Sequence, residues 1–238
     1  MSAVDGKLPV VIYHQISCLQ FSNTSNIFRT LLRLDYLKLT QGSYRNLKKG
    51  ALLINNAACT SRTRQETPEG IEMQFATNVL GYFRLIDEFT AILKASAPAR
   101  IVNVASYWAG GLDLNDLEFT RRSYNNDQAY RQSKQAGRML SAAFSEKLEP
   151  FHIAVNACHP GDVNSTLSNN LGFGGHETPD QGADTPVWLA THPIGQQKTG
   201  RYYEYRRESN CAFSRDRQAV NDLYELCANY SIGNNEVK

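Results

Sequence analysis

The feature that most constrains the fold is an alternation of short apolar runs with longer helical stretches from residue 50 onward. Three runs are apolar almost throughout, namely ALLINNAA (51–58), RIVNVAS (100–106) and HIAVNACHPG (152–161). Strands that are buried on both faces have this composition, and helices between them indicate parallel neighbours. The sequence therefore predicts an α/β fold with a doubly wound parallel sheet.

The stretches between and after these runs predict the remaining elements. Apolar residues recur every three or four positions in 70–96, which predicts an amphipathic helix that ends before Pro98. A second helix, which begins near residue 129, is predicted to end at Pro150. We expect a last strand in 199–208 and a closing helix in 219–231. Glycine and proline are frequent in 172–186, and this segment shows no helical period, so we expect a mobile substrate loop there.

Composition excludes several classes of function. The 238 residues are expected to form one domain, 1–238, and 25 basic against 23 acidic residues give a net charge of +2, too balanced for a nucleic-acid-binding protein. The five cysteines are scattered without metal-binding spacing, so no metal site is expected and a reducing compartment fits best. No apolar stretch approaches the ~20 residues of a membrane span, and no leader pattern is present. We expect a cytoplasmic protein.

One predicted helix carries a reactive pair of side chains. In AYRQSKQAGRM (129–139), Tyr130 and Lys134 are four residues apart and should project to the same side. An ammonium beside a phenol lowers the phenol pKa from about 10 toward the working pH, as general acid–base catalysis requires. The alternative is an ordinary solvated helix face.

Polar residues follow each apolar run at the place where a parallel sheet binds ligands. Asn55 and Asn56 end the first run, Ser106 ends the second, and 159–161 end the third. In open α/β sheets, ligands lie outside the carboxyl ends of the strands. These residues should therefore cluster near Tyr130 and Lys134.

Together, these motifs resemble the short-chain dehydrogenase/reductase family, and most of all its retinol dehydrogenase and WW-domain oxidoreductase type. The resemblance rests on Tyr130, Ser133 and Lys134, preceded by IVNVAS and followed by HPGDV in the order of the family. It implies a Rossmann-like fold, a cofactor that is NADP or NAD, and hydride transfer to or from a carbonyl or alcohol group of a small-molecule substrate. It leaves open whether the chain forms a homo-oligomer.

The resemblance also implies a role for each catalytic candidate. Tyr130 would exchange a proton with the substrate oxygen, and Lys134 would lower the phenol pKa and bind the nicotinamide ribose. Ser106 would hold the substrate oxygen, and Asn78 would help to hold a water of the proton relay. Structural alternatives remain, since Ser106 could bond its own backbone and Asn78 could mark a kink in a buried helix.

Further residues match the cofactor-binding positions of the family. The complete set of cofactor-binding candidates is Asp35, Asn55, Asn56, Ala57, Tyr130, Lys134, Pro160, Gly161 and Ser165. Ala58 stands where the family has a glycine, which requires a turn with negative φ at that position. Asp35 could equally be a surface acid.

The N-terminal segment departs from the family pattern. The family begins with a strand and a glycine-rich turn that binds the cofactor phosphates, whereas Gly6 is the sole glycine between residues 1 and 41. We therefore expect an atypical segment over 1–33 and a first βαβ unit that is truncated or altered. Three hypotheses follow, namely an active oxidoreductase, a catalytically impaired relative that acts through a protein partner, and a non-enzymatic interaction module.

The substrate cannot be identified from the sequence. Phe173, Trp188 and Trp108 would line an apolar site, which favours a small apolar carbonyl or alcohol, or they are simply part of the core.

Overall fold

The computed structural model describes residues 10–14 and 50–232, and within them a single six-stranded sheet. Its strands lie side by side in sequence order, with β1 to β5 parallel and β6 antiparallel to β5. The strands are β1 (Val10–His14), β2 (Ala51–Asn55), β3 (Ala99–Val104), β4 (Ile153–His159), β5 (Tyr202–Glu204) and β6 (Arg207–Ser209). The mostly parallel α/β architecture predicted from the apolar runs is confirmed.

Helices connect the described strands from β2 to β5, and one more helix follows β6. They are α1 (Gly81–Ala95), α2 (Asn126–Leu148), α3 (Thr166–Asn170), α4 (Pro179–Thr191), α5 (Ile194–Gln197) and α6 (Arg217–Ile232). Short 3₁₀ turns lie at Glu149–Phe151 and Ala212–Ser214. None of the helices in the described ranges is long and apolar enough to cross a membrane.

Both faces of the sheet are covered. Alternate residues of β2 illustrate this, because Leu53 belongs to one apolar cluster with α1, α2 and α6, whereas Leu52 and Ile54 belong to a second cluster with α4 and α5. Side chains of a strand point alternately to opposite faces, so a strand covered on both sides must be apolar throughout. This layering explains the continuous apolar runs of the sequence.

The predicted helix over 70–96 contains an irregular turn. A short α-helical turn (Met73–Phe75) leads into a π-helical turn (Ala76–Leu80) and then into α1. The carboxylate of Glu72 starts the helix by accepting hydrogen bonds from the backbone N–H groups of Gln74 (2.9 Å) and Phe75 (2.7 Å). The amphipathic pattern predicted the helix but not the π turn. Asn78 lies within this turn.

Two predictions about the C-terminal half need correction. The loop expected over 172–186 ends earlier, because α4 starts at Pro179 and continues through Pro186. Thr178 caps α4, and its hydroxyl accepts a hydrogen bond from the backbone N–H of Gln181. The single strand expected in 199–208 is a hairpin of β5 and β6, turned by Tyr205 and Arg206, both with positive φ.

The prediction for the N-terminal segment is tested only in part. The N-terminal residues VVIYH form β1, which pairs in parallel with β2. Residues 15–49 and Asp35 lie outside the described residues, so the expectation of an altered βαβ unit stays a prediction.

Candidate active site

The candidate site lies at the carboxyl ends of β3 and β4, against one face of α2. Asn125 starts α2, and its side-chain oxygen accepts a hydrogen bond from the backbone N–H of Gln128 (2.9 Å). Tyr130 and Lys134 follow on the face that packs towards the sheet, and both are buried. The alternative of an ordinary solvated helix face is therefore excluded.

Tyr130 and Ser106 lie side by side. The Ser106 hydroxyl acts on the phenol in the direction that lowers its pKa. The same hydroxyl accepts a hydrogen bond from the backbone N–H of Trp108 (3.1 Å). The phenol and the hydroxyl thus converge at the end of β3, as expected for two groups that would bind one substrate oxygen.

Lys134 is near the phenol but bonded elsewhere. Its Nζ atom donates a hydrogen bond to the carbonyl oxygen of Val104 (2.9 Å) and lies 5.6 Å from the centre of the Tyr130 ring. Burial lowers the pKa of Lys134 to about 8. The ammonium is therefore a desolvated cation held against the end of β3.

The pKa of Tyr130 moves opposite to the direction predicted from sequence. Burial raises it to about 12, although the Ser106 hydroxyl acts in the lowering direction. The nearby ammonium does not reverse the shift, since Lys134 is hydrogen-bonded to Val104 rather than to the phenol. Tyr130 accordingly keeps its proton at neutral pH.

Asn78, within the π turn, forms hydrogen bonds to two parts of the site. Its side-chain oxygen accepts a hydrogen bond from the backbone N–H of Cys59 (2.8 Å). Its Nδ2 atom donates to the Cys59 carbonyl (3.1 Å) and to the Ser133 hydroxyl (3.1 Å). The Ser133 hydroxyl in turn donates to the carbonyl of Tyr130 (2.7 Å). Asn78 therefore connects the segment after β2 to the helix that carries Tyr130. This is a structural role, in line with the alternative that Asn78 marks a kink in a buried helix.

Two cofactor candidates use their side chains within the protein. Asn55 is fully buried, and its Nδ2 atom donates to Asn103 (2.8 Å) inside the sheet. Ser165 caps α3 by accepting a hydrogen bond from the backbone N–H of Ser168 (3.2 Å). Asn56 and Ala57 directly follow β2, and Ala58 does not have a positive φ, so the turn tolerates alanine.

Pro160 and Gly161 follow β4 beside His159. Gly161 has a φ of +103°, and the Glu177 carboxylate lies against its α-carbon. Both ring nitrogens of His159 are buried and make no hydrogen bond within the described part of the chain. Burial lowers the His159 pKa to about 4; the charge of Asp162 acts against this shift, and the charges of Arg138 and Lys134 act with it. The His159 ring is therefore uncharged at neutral pH.

The expected apolar lining is divided between two places. Trp108 packs edge-to-face against Phe173, with ring centres 5.2 Å apart, next to Ser106. Trp188 instead packs against Tyr203 and His192 on the face of the sheet covered by α4. Trp188 is therefore part of the packing of α4, as the alternative reading held.

Sequence reasoning missed Arg138, which lies one helical turn after Lys134. Its Nη2 atom donates a hydrogen bond to the carbonyl oxygen of Ser106 (2.6 Å). The repeated spacing of four residues from Tyr130 through Lys134 could have indicated it, because all three side chains fall on one face. Within the described ranges, no group of three or more His, Cys, Asp or Glu side chains is arranged to hold a metal.

The described fold and site define an α/β protein with a mostly parallel sheet and with a tyrosine, a serine and a lysine at the carboxyl edge of that sheet. A family model described as short chain dehydrogenase matches residues 35–172, more than half of the chain. The chain therefore belongs to the short-chain dehydrogenase family, as the sequence motifs indicated.

Individual relatives agree with this assignment. Human retinol dehydrogenase 14 is 32% identical over 191 residues, which cover 74% of this chain but 56% of that protein. The chain thus spans little more than half the length of this relative.

Two solved structures share the fold at lower identity. A structure from Mycobacterium paratuberculosis, titled as an uncharacterized protein, matches 80% of this chain and 71% of its own at 24% identity, with a TM-score of 0.56. A 3-ketoacyl-(acyl-carrier-protein) reductase from Brucella melitensis, solved with NADH, matches 72% of this chain and 70% of its own at 20% identity, with a TM-score of 0.52.

Proposed function

We propose that this chain is an NAD(P)-dependent oxidoreductase that interconverts a carbonyl and an alcohol group on a small apolar substrate. The observation that carries the proposal is that the Tyr130 phenol and the Ser106 hydroxyl meet at the end of β3, with the Lys134 ammonium 5.6 Å from the centre of the Tyr130 ring. The phenol and the hydroxyl are the donors that a substrate oxygen needs when its charge changes, and the ammonium is a nearby positive charge. Membership of the short-chain dehydrogenase family supports the assignment.

The residues on the nicotinamide side fit a dinucleotide. Glu177 Oε2 is buried, has no hydrogen-bond partner within the described ranges, and lies against Gly161. It is an unused acceptor for an amide N–H group such as that of the nicotinamide carboxamide. Lys134, Pro160, Gly161 and Ser165 would hold that end of the cofactor, while Asp35 and the segment after β1 lie outside the described residues. When bound, the cofactor supplies or accepts the hydride.

The protein groups act on the proton and on the substrate oxygen. Because the pKa of Tyr130 is raised to about 12, the phenol is protonated at neutral pH and is ready to donate to a carbonyl oxygen. Ser106 orients that oxygen by a hydrogen bond, and Lys134 supplies a nearby positive charge that stabilises the phenolate left behind. This protonation state favours carbonyl reduction as the working direction.

The apolar character of the substrate is inferred from Trp108 and Phe173. Phe173 is 45% exposed, and its ring packs on Trp108, two residues after Ser106. An apolar group attached to the carbonyl would bury these two rings further.

Two measurements test the proposal in order. Calorimetric titration with NADPH and NADH comes first, and binding in the micromolar range is expected for one of them. No binding at millimolar cofactor would favour the alternative, a catalytically impaired relative that acts through a protein partner.

Turnover of a panel of ketones and aldehydes is then compared for wild type and Tyr130→Phe. We expect a loss of about 10²- to 10⁴-fold in kcat, the usual contribution of a general acid. Tyr224→Phe on α6 removes a phenol hydroxyl outside the candidate site and serves as the matched control. Equal activity of Tyr130→Phe and wild type would refute the mechanism.

A further inference from the structure

Arg138 is a buried cation on the same face of α2 as Tyr130 and Lys134, and the proposed reaction does not use it. The three side chains are spaced by four residues and therefore lie one above the other. Arg138 is only 6% exposed. Burying a charge is costly unless it is paired and hydrogen-bonded, so its partners indicate what it stabilises.

Three close contacts compensate the buried charge and differ in strength, while the Phe213 ring is more distant, with its centre 5.6 Å from Cζ. The guanidinium stacks on the ring of Tyr202, with Cζ 3.4 Å from the ring centre. It forms a long ion pair with Glu204 (3.8 Å), whose side chain is 30% exposed. Its closest polar contact is the hydrogen bond from Nη2 to the carbonyl oxygen of Ser106 (2.6 Å). A charged donor makes this bond stronger than one between neutral groups.

The position of that carbonyl gives the contact its significance. Ser106 is held at two points. Its carbonyl oxygen accepts the short hydrogen bond from Arg138 and a longer one from the backbone N–H of Ala109 (3.3 Å), and its hydroxyl accepts one from the backbone N–H of Trp108. Ser106 follows the end of β3 and lies in no helix or strand, so no regular ladder fixes its backbone. The hydroxyl can meet the phenol only if the backbone of residue 106 keeps this place.

We propose that Arg138 is a positioning residue, which fixes the backbone of Ser106 and thereby holds the Ser106 hydroxyl on the Tyr130 phenol. This inference rests on the proposed oxidoreductase function for its kinetic consequence. Its structural part is independent of turnover, because it concerns a contact within the protein alone.

The test uses two substitutions of Arg138 in the full chain. Arg138→Met keeps the length and removes the charge and the donors, whereas Arg138→Lys keeps the charge but lacks the planar fork and the stacking surface. We expect kcat to fall about 10- to 100-fold in Arg138→Met, the loss typical of a charged hydrogen bond, with KM within about threefold of wild type. Arg138→Lys should recover part of that loss.

A second readout does not depend on activity. Hydrogen exchange of the backbone amides in 106–110 should accelerate in Arg138→Met and return towards wild type in Arg138→Lys. Because Arg138→Met leaves Glu204 without its cation, the substitution is repeated with Glu204→Gln, and the same losses are expected. Arg217→Met, which removes an exposed arginine of α6 paired with Glu146, is the matched control and should change neither readout.

The outcomes separate the two proposals. If wild type turns over and Arg138→Met keeps its kcat, the positioning role is wrong and Arg138 only stabilises the fold. If wild type shows no turnover with either cofactor, the proposed function fails, and hydrogen exchange alone decides the positioning role. Unchanged exchange in 106–110 overturns it in either case.

Discussion

The protonation of Tyr130 and Lys134 differs most from what their spacing suggested. Four-residue spacing on a helix correctly predicts that the two side chains are neighbours. It cannot predict that burial shifts both pKa values toward the neutral form, raising the phenol to about 12 and lowering the ammonium to about 8. The consequence is that Lys134, rather than Tyr130, loses its proton first as the pH rises.

The rate of carbonyl reduction should therefore fall on the alkaline side with an apparent pKa near 8. Lys134 carries its charge below that pH and loses it above, and the stabilising cation near the phenol is lost with it. Profiles of kcat/KM from pH 6 to 10 measure this limb. Lys134→Arg retains the charge throughout and should move the limb upward, while Lys147→Arg on the exposed side of α2 should not.

A wild-type profile that stays flat up to pH 10 would show that the charge of Lys134 does not contribute to the rate.

The sequence alone identified some site residues and missed others for a physical reason. Tyr130, Lys134 and Ser106 were predicted from local spacing and from the ends of apolar runs, and the structure brings them together. Arg138 looks like any helical arginine in the sequence. Its burial arises because Tyr202 and Ser106, from distant parts of the chain, meet at its guanidinium.

At the scale of elements, the segment between α3 and α4 places one aromatic ring over the site. Gly172, Gly174 and Gly175 all have positive φ, and Phe173 between them contacts Trp108. Glycine adopts this backbone at little cost, so the turn can present a bulky ring without strain. The predicted loop is thus shortened by α4, and its Phe173 contacts Trp108, two residues after Ser106.

Replacing Phe173 with alanine should weaken the binding of apolar substrates. Loss of a ring that is 45% exposed should raise KM for a bulky apolar ketone about 5- to 10-fold, because the bound ketone would bury less apolar surface against the protein. The kcat for a small aldehyde that does not reach the ring should stay unchanged. Steady-state kinetics with both substrates measure the difference.

Phe151→Ala on the 3₁₀ turn after α2 removes a ring of comparable exposure (43%) away from the site, and it is the control for Phe173→Ala. Equal KM values for the bulky ketone in wild type and Phe173→Ala would contradict the assigned contact.

For the molecule as a whole, stability depends on the two apolar layers that sandwich the sheet. Leu53 of β2 is fully buried in the layer shared with α1, α2 and α6. The continuous apolar runs made the strands predictable. The β5–β6 hairpin was missed because its turn residues, Tyr205 and Arg206, adopt positive φ without the usual glycine or asparagine.

Leu53→Ala should reduce the free energy of unfolding by about 2 to 5 kcal/mol, the cost of a cavity in a packed core. Urea denaturation followed by circular dichroism measures it, and a single transition is expected if the chain forms one domain. Val187→Ala on α4, where the side chain is 51% exposed, should change stability little. A comparable loss for both variants would argue against the described core.

The π turn at Ala76–Leu80 has a consequence for how related sequences are compared. A π turn accommodates one residue more than an α turn, so removing a single residue there would close it to an α turn, keep the flanking parts of the helix in phase, and redirect the side chains within the turn by up to about 100°. Asn78 would still be present in the sequence, but its side-chain amide would point away from Cys59. A one-residue alignment gap at this point would therefore identify homologues that have lost the hydrogen bonds of Asn78. It would do so more reliably than any substitution beside it.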